Sequence, residues 1–489
     1  MGNLILDGDI AKICYTLSDN LLAFGQLAEA LVYIEQSQKI FYELGNEDYI
    51  NCLQKIGLIH REKGNLKEAF QYFKANYHLC RQKIDNQDWK WQTNLAVSYE
   101  SLGMIYQKKG NLTQALKMFR LCYKLSKNLY EEEKENRELI LGLANIYGKL
   151  GEVYKAKGEF RKAASMFRSY LKAAQFLLGK DHFDTSGKQA LAVAYGKLGE
   201  IYGLQGKLDK HLKMYLKCNK LLNELCNNNP KEEGLKHNLS ISYQMLGELY
   251  LDRSDLDKAL TMFQFYLDIA KELAENNPVR EDLQYSLALS YEKLAEVYYA
   301  MNDFDTALKL FLNYHLIIKK LLKNNPSSQE IRSDYAISYC WLGNIYQEQR
   351  ELDKALEMFL KYHKIQAKIY EINPNDVKLK NHLSIAYEKL GIIYQEKGEL
   401  EKALEMFQIE VQLSEELYAA YPEHIYIKHE LATVYGFLGD IHVQLGDIVV
   451  AKNYYVNAEK IWKELYETAP TPEYFEGLTN AQKDVASLL

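Results

Sequence analysis

The chain has 489 residues, of which 47% are hydrophobic and 26% charged, with a net charge of −6. That balance excludes a disordered chain and supplies apolar surface for a large core. No lysine- or arginine-rich block is present, so nucleic-acid binding through phosphate neutralisation is not expected. No apolar run approaches the ~18 residues of a membrane-spanning helix.

At the N-terminus, residues 1–50 hold eight acids and two bases, so the whole net charge resides in this window. The acidic end reads as a solvated cap or as a docking surface for a basic partner. Met1–Leu6 lacks the basic and long apolar regions of a secretory signal, and Leu6 stands where a myristoylation signal needs Ser or Thr. The seven cysteines are odd in number, scattered and without a Cys-x-x-Cys pair. Free thiols of this kind suit a reducing compartment, and a cytoplasmic protein is expected.

The predicted elements follow one grammar along the chain. A degenerate first unit lies at Leu17–Ala30, where Gly25 and Ala30 stand in the same relation as Gly64 and Ala69 of the next unit. From there Gly103, Gly151, Gly199, Gly247, Ala295, Gly343, Gly391 and Gly439 recur every 48 residues. A tyrosine precedes each by four residues, from Tyr99 to Tyr435, and another follows by three, with His442 in the last unit. Alanine follows by twelve in all units but one, where His211 stands. An aromatic comes four residues later, as Phe119, Phe167, Tyr215, Phe263, Phe311, Phe359, Phe407 and Tyr455. A fixed period of this size marks stacked supersecondary units.

Residues 279–326 illustrate one unit. Leu287, Tyr291, Leu294, Ala295 and Tyr298 share one helical face, which predicts a helix from about Val279 to Met301. Asn302-Asp303 breaks that pattern, and Asp303 or Asp305 can cap a second helix from about Thr306 to Lys323. Asn324-Asn325-Pro326 ends it. Pro230, Pro278, Pro326, Pro374, Pro422 and Pro470 punctuate six consecutive units, while Asp181–Gly187 replaces the proline turn earlier in the chain and Glu131–Glu138 is a charged inter-unit turn. After Pro472, the positions of Phe475, Leu478, Ala481, Val485 and Leu488 predict a last helix over the open end. Glycine and alanine allow two helices of a hairpin to approach closely, and the aromatics fill the space beside them.

Tyr387, Leu390, Gly391, Tyr394, Gly398, Ala403 and Phe407, in this order, resemble the tetratricopeptide repeat (TPR), and the likeness runs from about Leu17 to Pro470. The common unit of that family has ~34 residues, so about 14 are added here, which implies longer helices in both arms. Bulky Tyr266, Tyr314 and Tyr362 also stand where the family usually has a small residue. The resemblance implies an all-α protein, a right-handed α-solenoid of about ten antiparallel hairpins, whose first helices line a concave groove for a peptide or partner protein. The organisation expected is an acidic N-terminal cap over 1–48, one continuous repeat array over 49–470 and a C-terminal capping helix over 471–489.

No phosphate-binding loop, His-Glu-x-x-His or Gly-x-Ser-x-Gly is present, and His429-Glu430 lacks a second histidine. No catalytic, cofactor-binding or metal-binding residues are expected. The informative feature is the position after the glycine, which is Glu152, Glu200, Glu248 and Glu296 in four consecutive units. Two turns earlier on the same helical face stand Val193, Ile241, Leu289, Ile337 and Ile385. An acidic and an aliphatic rail, ~10 Å apart by helix rise, are expected to run along the first helices. One reading is structural, with the glutamates paired to Lys149, Lys197 and Lys293 at i+3 and the aliphatics packed on the next unit. The other is a groove for a partner segment carrying basic and apolar residues. A non-catalytic scaffold or adaptor follows, with a peptide-sensing regulator or a regulatory subunit of a larger complex as alternatives.

Overall fold

The computed structural model describes residues 2–23, 25–84, 89–179 and 184–488. All of its regular structure is helical among these residues, in twenty-one α-helices. Asp181, His182 and Phe183, part of the turn predicted to replace a proline, lie outside the described residues, as does Met1.

Two compact units divide the chain at Ser242 and Tyr243. The first holds α1 (Gly2–Ala23), α2 (Leu27–Glu43), α3 (Tyr49–Glu62), α4 (Leu66–Lys83), α5 (Trp89–Lys108), α6 (Leu112–Glu132), α7 (Arg137–Ala156), α8 (Phe160–Leu178), α9 (Thr185–Leu204) and α10 (Leu208–Asn228). The helix α11 (Glu233–Leu251) begins in this unit. The second unit holds the rest of α11, then α12 (Leu256–Asn276), α13 (Glu281–Ala300), α14 (Phe304–Asn324), α15 (Gln329–Glu348), α16 (Leu352–Ile372), α17 (Val377–Glu396), α18 (Leu400–Ala420), α19 (Ile425–Leu445), α20 (Ile448–Thr468) and α21 (Pro472–Ser487). Within each unit, successive helices pack as hairpins and each second helix packs on the next hairpin's first helix. This is α-solenoid stacking.

The core of each hairpin is the meeting of the small residue with the aromatic. A Cβ on Gly391 would lie 2.5 Å from Cε1 of Phe407, and one on Gly103 would lie 2.6 Å from Cε1 of Phe119. Glycine is required because the ring occupies the volume of a methyl group. The alanine that follows Gly103 by twelve residues, Ala115, and its counterparts Ala163, Ala259 and Ala403 are fully buried.

Hairpin turns close by one device. The chain enters the left-handed region at Gly25, Gly64, Gly110, Gly158, Gly206, Gly398 and Gly446, and at the equivalent Ser254, Asn302 and Arg350. At Gly110, the N–H of Asn111 donates to the Tyr106 carbonyl at 2.9 Å and that of Gly110 to Gln107 at 3.0 Å. This paired pattern satisfies carbonyls left open at a helix end. Asp303 caps α14 by accepting from the Thr306 N–H at 3.1 Å, as its sequence position predicts. Helix α13 starts two residues later than the apolar pattern suggests, because Val279 is 88% exposed in the preceding turn.

Helix α21 packs on α20. The contact uses Ala481, which is buried, and Gly477, whose missing Cβ leaves room for the Trp462 ring. Phe475, expected on the covering stripe, is instead 55% exposed with its ring against Tyr466.

Candidate partner-binding cleft

The residues of the two rails fall on the first helices of their hairpins. In the first unit, Glu152 lies on α7, Val193 and Glu200 on α9, and Ile241 on α11. In the second, Glu248 lies on α11, Leu289 and Glu296 on α13, and Ile337 on α15. Val193 and Ile241 are 45% and 40% exposed, so these two are not packed away on a neighbour. Leu289 and Ile337 are half-buried, as are all four glutamates.

The glutamates are more engaged than an open acidic rail would be, and their partners differ from simple i+3 pairing. Glu152 meets Lys155 on its own helix at 2.9 Å and Lys197 of the next hairpin at 2.8 Å. Lys155 in turn reaches Glu200 at 2.7 Å. Lys149 pairs with Glu100 of the preceding hairpin at 3.6 Å, not with Glu152. The correction has a geometric origin: adjacent first helices lie side by side, and a lysine bridges the gap between them as easily as it spans one turn. Burial pushes the Glu152 carboxyl up, but hydrogen bonds from Lys197 and Lys155 outweigh it and hold the group below its usual range.

In the second unit, Lys293 and Glu296 do pair at i+3, at 2.8 Å. Burial raises Glu296 despite this lysine. Glu248 accepts from Gln244 one turn earlier at 3.0 Å. Beside Glu296, the buried Glu292 is pushed up to about 7, by burial first and by Glu296 second. Asp334 accepts from the Tyr285 hydroxyl at 2.8 Å.

Three of the rail residues converge on one cleft of about 510 Å³ formed by α9, α10 and α11 in the first unit. Val193, Glu200 and Ile241 line it, with Cys218 and Leu222 of α10. A smaller cleft of about 250 Å³ brings Glu152 together with Val193, Lys149 and Lys197. The rail periodicity found these side chains but not the cavities, which depend on the second helix behind them.

The fold and these first-helix faces define a protein of stacked helical hairpins. Residues 94–175 and 336–369 each match a family model described as tetratricopeptide repeat. The chain therefore contains tetratricopeptide repeats in both matched segments. No curated protein matches it in sequence. Among solved structures, the apo form of RapI is similar with a TM-score of 0.56 at 12% identity, over 86% of this chain and 99% of that one. The likeness is one of fold. BtubC (BKLC) from P. vanneervenii aligns at 20% identity over 54% of this chain and 93% of its own, with a TM-score of 0.42. A putative kinesin light chain protein from Podosopora anserina aligns at 12% identity over 47% and 96%, with a TM-score of 0.36.

Among the described residues, no group of three His, Cys, Asp or Glu side chains is placed to hold a metal ion, and no helix is long and apolar enough to cross a membrane.

Proposed function

We propose that this protein is a non-catalytic scaffold or adaptor that holds a partner protein segment against the first-helix face of its repeats. The segment carries basic and apolar residues. In the first unit such a segment meets Glu152, Val193, Glu200 and Ile241; the second unit offers a face of its own with Leu289, Ile337, Glu248 and Glu296. The observation that carries this reading is the cleft at which two exposed aliphatics, Val193 and Ile241, meet an acid, Glu200. Exposed aliphatics beside a cavity are costly unless covered. The lysine partners do not block the site, since their ion pairs remain partly open to solvent and contribute little, and so yield to a competing cation.

The same reading treats 49–470 as one working array, with 1–48 and α21 as its ends, because terminal hairpins need a covering element. It places the protein in the cytoplasm, in keeping with cysteines that are all free thiols.

The test is capture of partners from an extract of the source organism by the immobilised full chain and its variants. Glu200→Lys with Glu248→Lys weakens capture, most strongly at low salt. Ile241→Asp weakens it at every salt concentration. Both variants keep the wild-type melting temperature. Full capture by both contradicts the reading.

A further inference from the structure

One position on the second helices, three residues after the core aromatic, behaves differently from the rest. It is Tyr170 on α8, Tyr266 on α12, Tyr314 on α14 and Tyr362 on α16, all buried. Three of these phenols perform the same task. Tyr266 donates to the carbonyl of Ser286 at 3.0 Å, Tyr314 to Asp334 at 3.3 Å and Tyr362 to His382 at 3.3 Å, each on the next hairpin's first helix. The ring thus fills the space between two hairpins and its hydroxyl finds a backbone acceptor.

On α6 and α10 the equivalent residues are Cys122 and Cys218. Each loses a phenol ring relative to tyrosine, and a cleft lies at each: about 330 Å³ beside Cys122 and about 510 Å³ beside Cys218. The two are the same place in two different repeats. Val97, Cys122 and Leu139 line the first where Val193, Cys218 and Leu235 line the second. The residues corresponding to the carbonyl acceptors, Gly142 and Asn238, also line them. In the intervening repeat Tyr170 occupies the position, and the cleft there shrinks to about 250 Å³. Burial raises both thiols, Cys218 to about 11 and Cys122 to about 12, so their contribution is space and not nucleophilic chemistry.

We propose that the clefts at Cys122 and Cys218 are side-chain slots, each receiving a tyrosine of a basic partner segment in the place where the neighbouring repeats carry their own. The phenol hydroxyl donates to the backbone carbonyl of Gly142 or Asn238. Charge selects the flanking residues. Glu100, Glu132, Glu133 and Glu138 line the first slot with no lysine or arginine among its lining residues, and Glu200 and Glu232 line the second, where the one lysine, Lys197, is drawn to Glu152 of the preceding hairpin. Lysine or arginine beside the tyrosine is therefore favoured. The occupant rests on the partner-binding reading above; the slots do not.

The experiment titrates 4-fluorophenol into the full chain and follows its fluorine NMR signal. A fragment of this size binds in the millimolar range. Saturable binding is expected, reduced by Cys122→Tyr or Cys218→Tyr singly and lost in the double variant, which fills both slots with the tyrosine that α8, α12, α14 and α16 carry there. In the unaltered chain, saturating 4-fluorophenol should raise the melting temperature, a readout that does not depend on the variants folding. The acetylated, amidated peptide Lys-Lys-Tyr-Lys-Lys should displace the fluorophenol, and its Tyr→Ala form should not. Absence of saturable binding and of the rise in melting temperature, or binding undiminished in a folded double variant, overturns the slots whether or not the chain binds a partner. Fluorophenol binding that the tyrosine peptide fails to displace overturns the peptide occupant. Undiminished partner capture by the Glu200, Glu248 and Ile241 variants would overturn the broader reading alone.

Discussion

The Lys197 ammonium lies 2.8 Å from the Glu152 carboxylate of the preceding hairpin, although Glu200 stands one turn away on its own helix. Lys155 makes the opposite crossing to Glu200. The charges therefore tie adjacent hairpins together. Both side chains of the Lys197–Glu152 pair are partly exposed, so the tie is modest. A double-mutant cycle of Glu152→Gln and Lys197→Met, read from urea melts, should give a coupling of about 0.5–1 kcal/mol that shrinks with added salt. A coupling of zero at low salt would mean the pair contributes nothing.

Gly391→Ala should destabilise by about 1–3 kcal/mol, because its Cβ would overlap the Phe407 ring inside a packed core. Ala295 shows what accommodation requires. There the partner ring, Phe311, stacks on Trp341 with centroids 4.8 Å apart. Phe407 also has a stacked neighbour, Phe437, at 5.2 Å, so restacking alone does not spare Gly391. Thermal or urea denaturation measures the loss, and an unchanged midpoint would show that the ring has room to move.

Arg350 holds a left-handed conformation, with φ of 61°, at the turn position where Gly398 and Gly446 stand in later repeats. A side chain there costs roughly 1–2 kcal/mol, partly offset by the greater unfolded-state entropy of glycine. Arg350→Gly is therefore expected to raise stability by about 0.5–1 kcal/mol, read as a higher urea midpoint at constant slope. Its pair with Glu396, at 3.6 Å and with the arginine side chain largely in solvent, offsets little.

Glu292 introduces a pH dependence of definite sign. Burial, with Glu296 and Asp334 nearby and Lys293 and a hydrogen bond from Trp341 opposing, raises its folded-state value to about 7 from 4.5. The folded chain therefore holds a proton that the unfolded chain releases, and this group's contribution to stability falls as pH rises from 4.5 to 7. Glu292→Gln removes that slope. The variant should match the wild type near pH 4.5 and exceed it by roughly 2–3 kcal/mol at pH 8. Parallel stability curves for the two proteins would contradict the assignment.

The hairpin architecture was legible because its causes are local and repeated. Gly391, Tyr394, Ala403 and Phe407 announce a close helix pair in sequence, and the same spacing recurs through the chain. The left-handed turns at Ser254, Asn302 and Arg350 were less legible, since none of these residues is a glycine and only their alignment with Gly206 and Gly398 reveals them. Helix periodicity placed Glu152, Glu200, Val193 and Ile241 on one face, but it could not show which lysine crosses to which glutamate. That depends on the distance between neighbouring helices. The clefts at Cys122 and Cys218 escaped for a similar reason: they follow from what the second helix lacks, and a missing ring is visible only beside Tyr170, Tyr266 and Tyr314.

The most direct measurement of partner binding at this cleft is peptide selection by display on the immobilised full chain, in parallel with Ile241→Asp and Glu200→Lys variants. Apolar or aromatic residues next to lysine or arginine should be enriched on the unaltered chain. That enrichment should be lost on Ile241→Asp and shift away from basic peptides on Glu200→Lys. Enrichment of acidic peptides, or the same peptides selected by all three proteins, would contradict partner binding at this cleft.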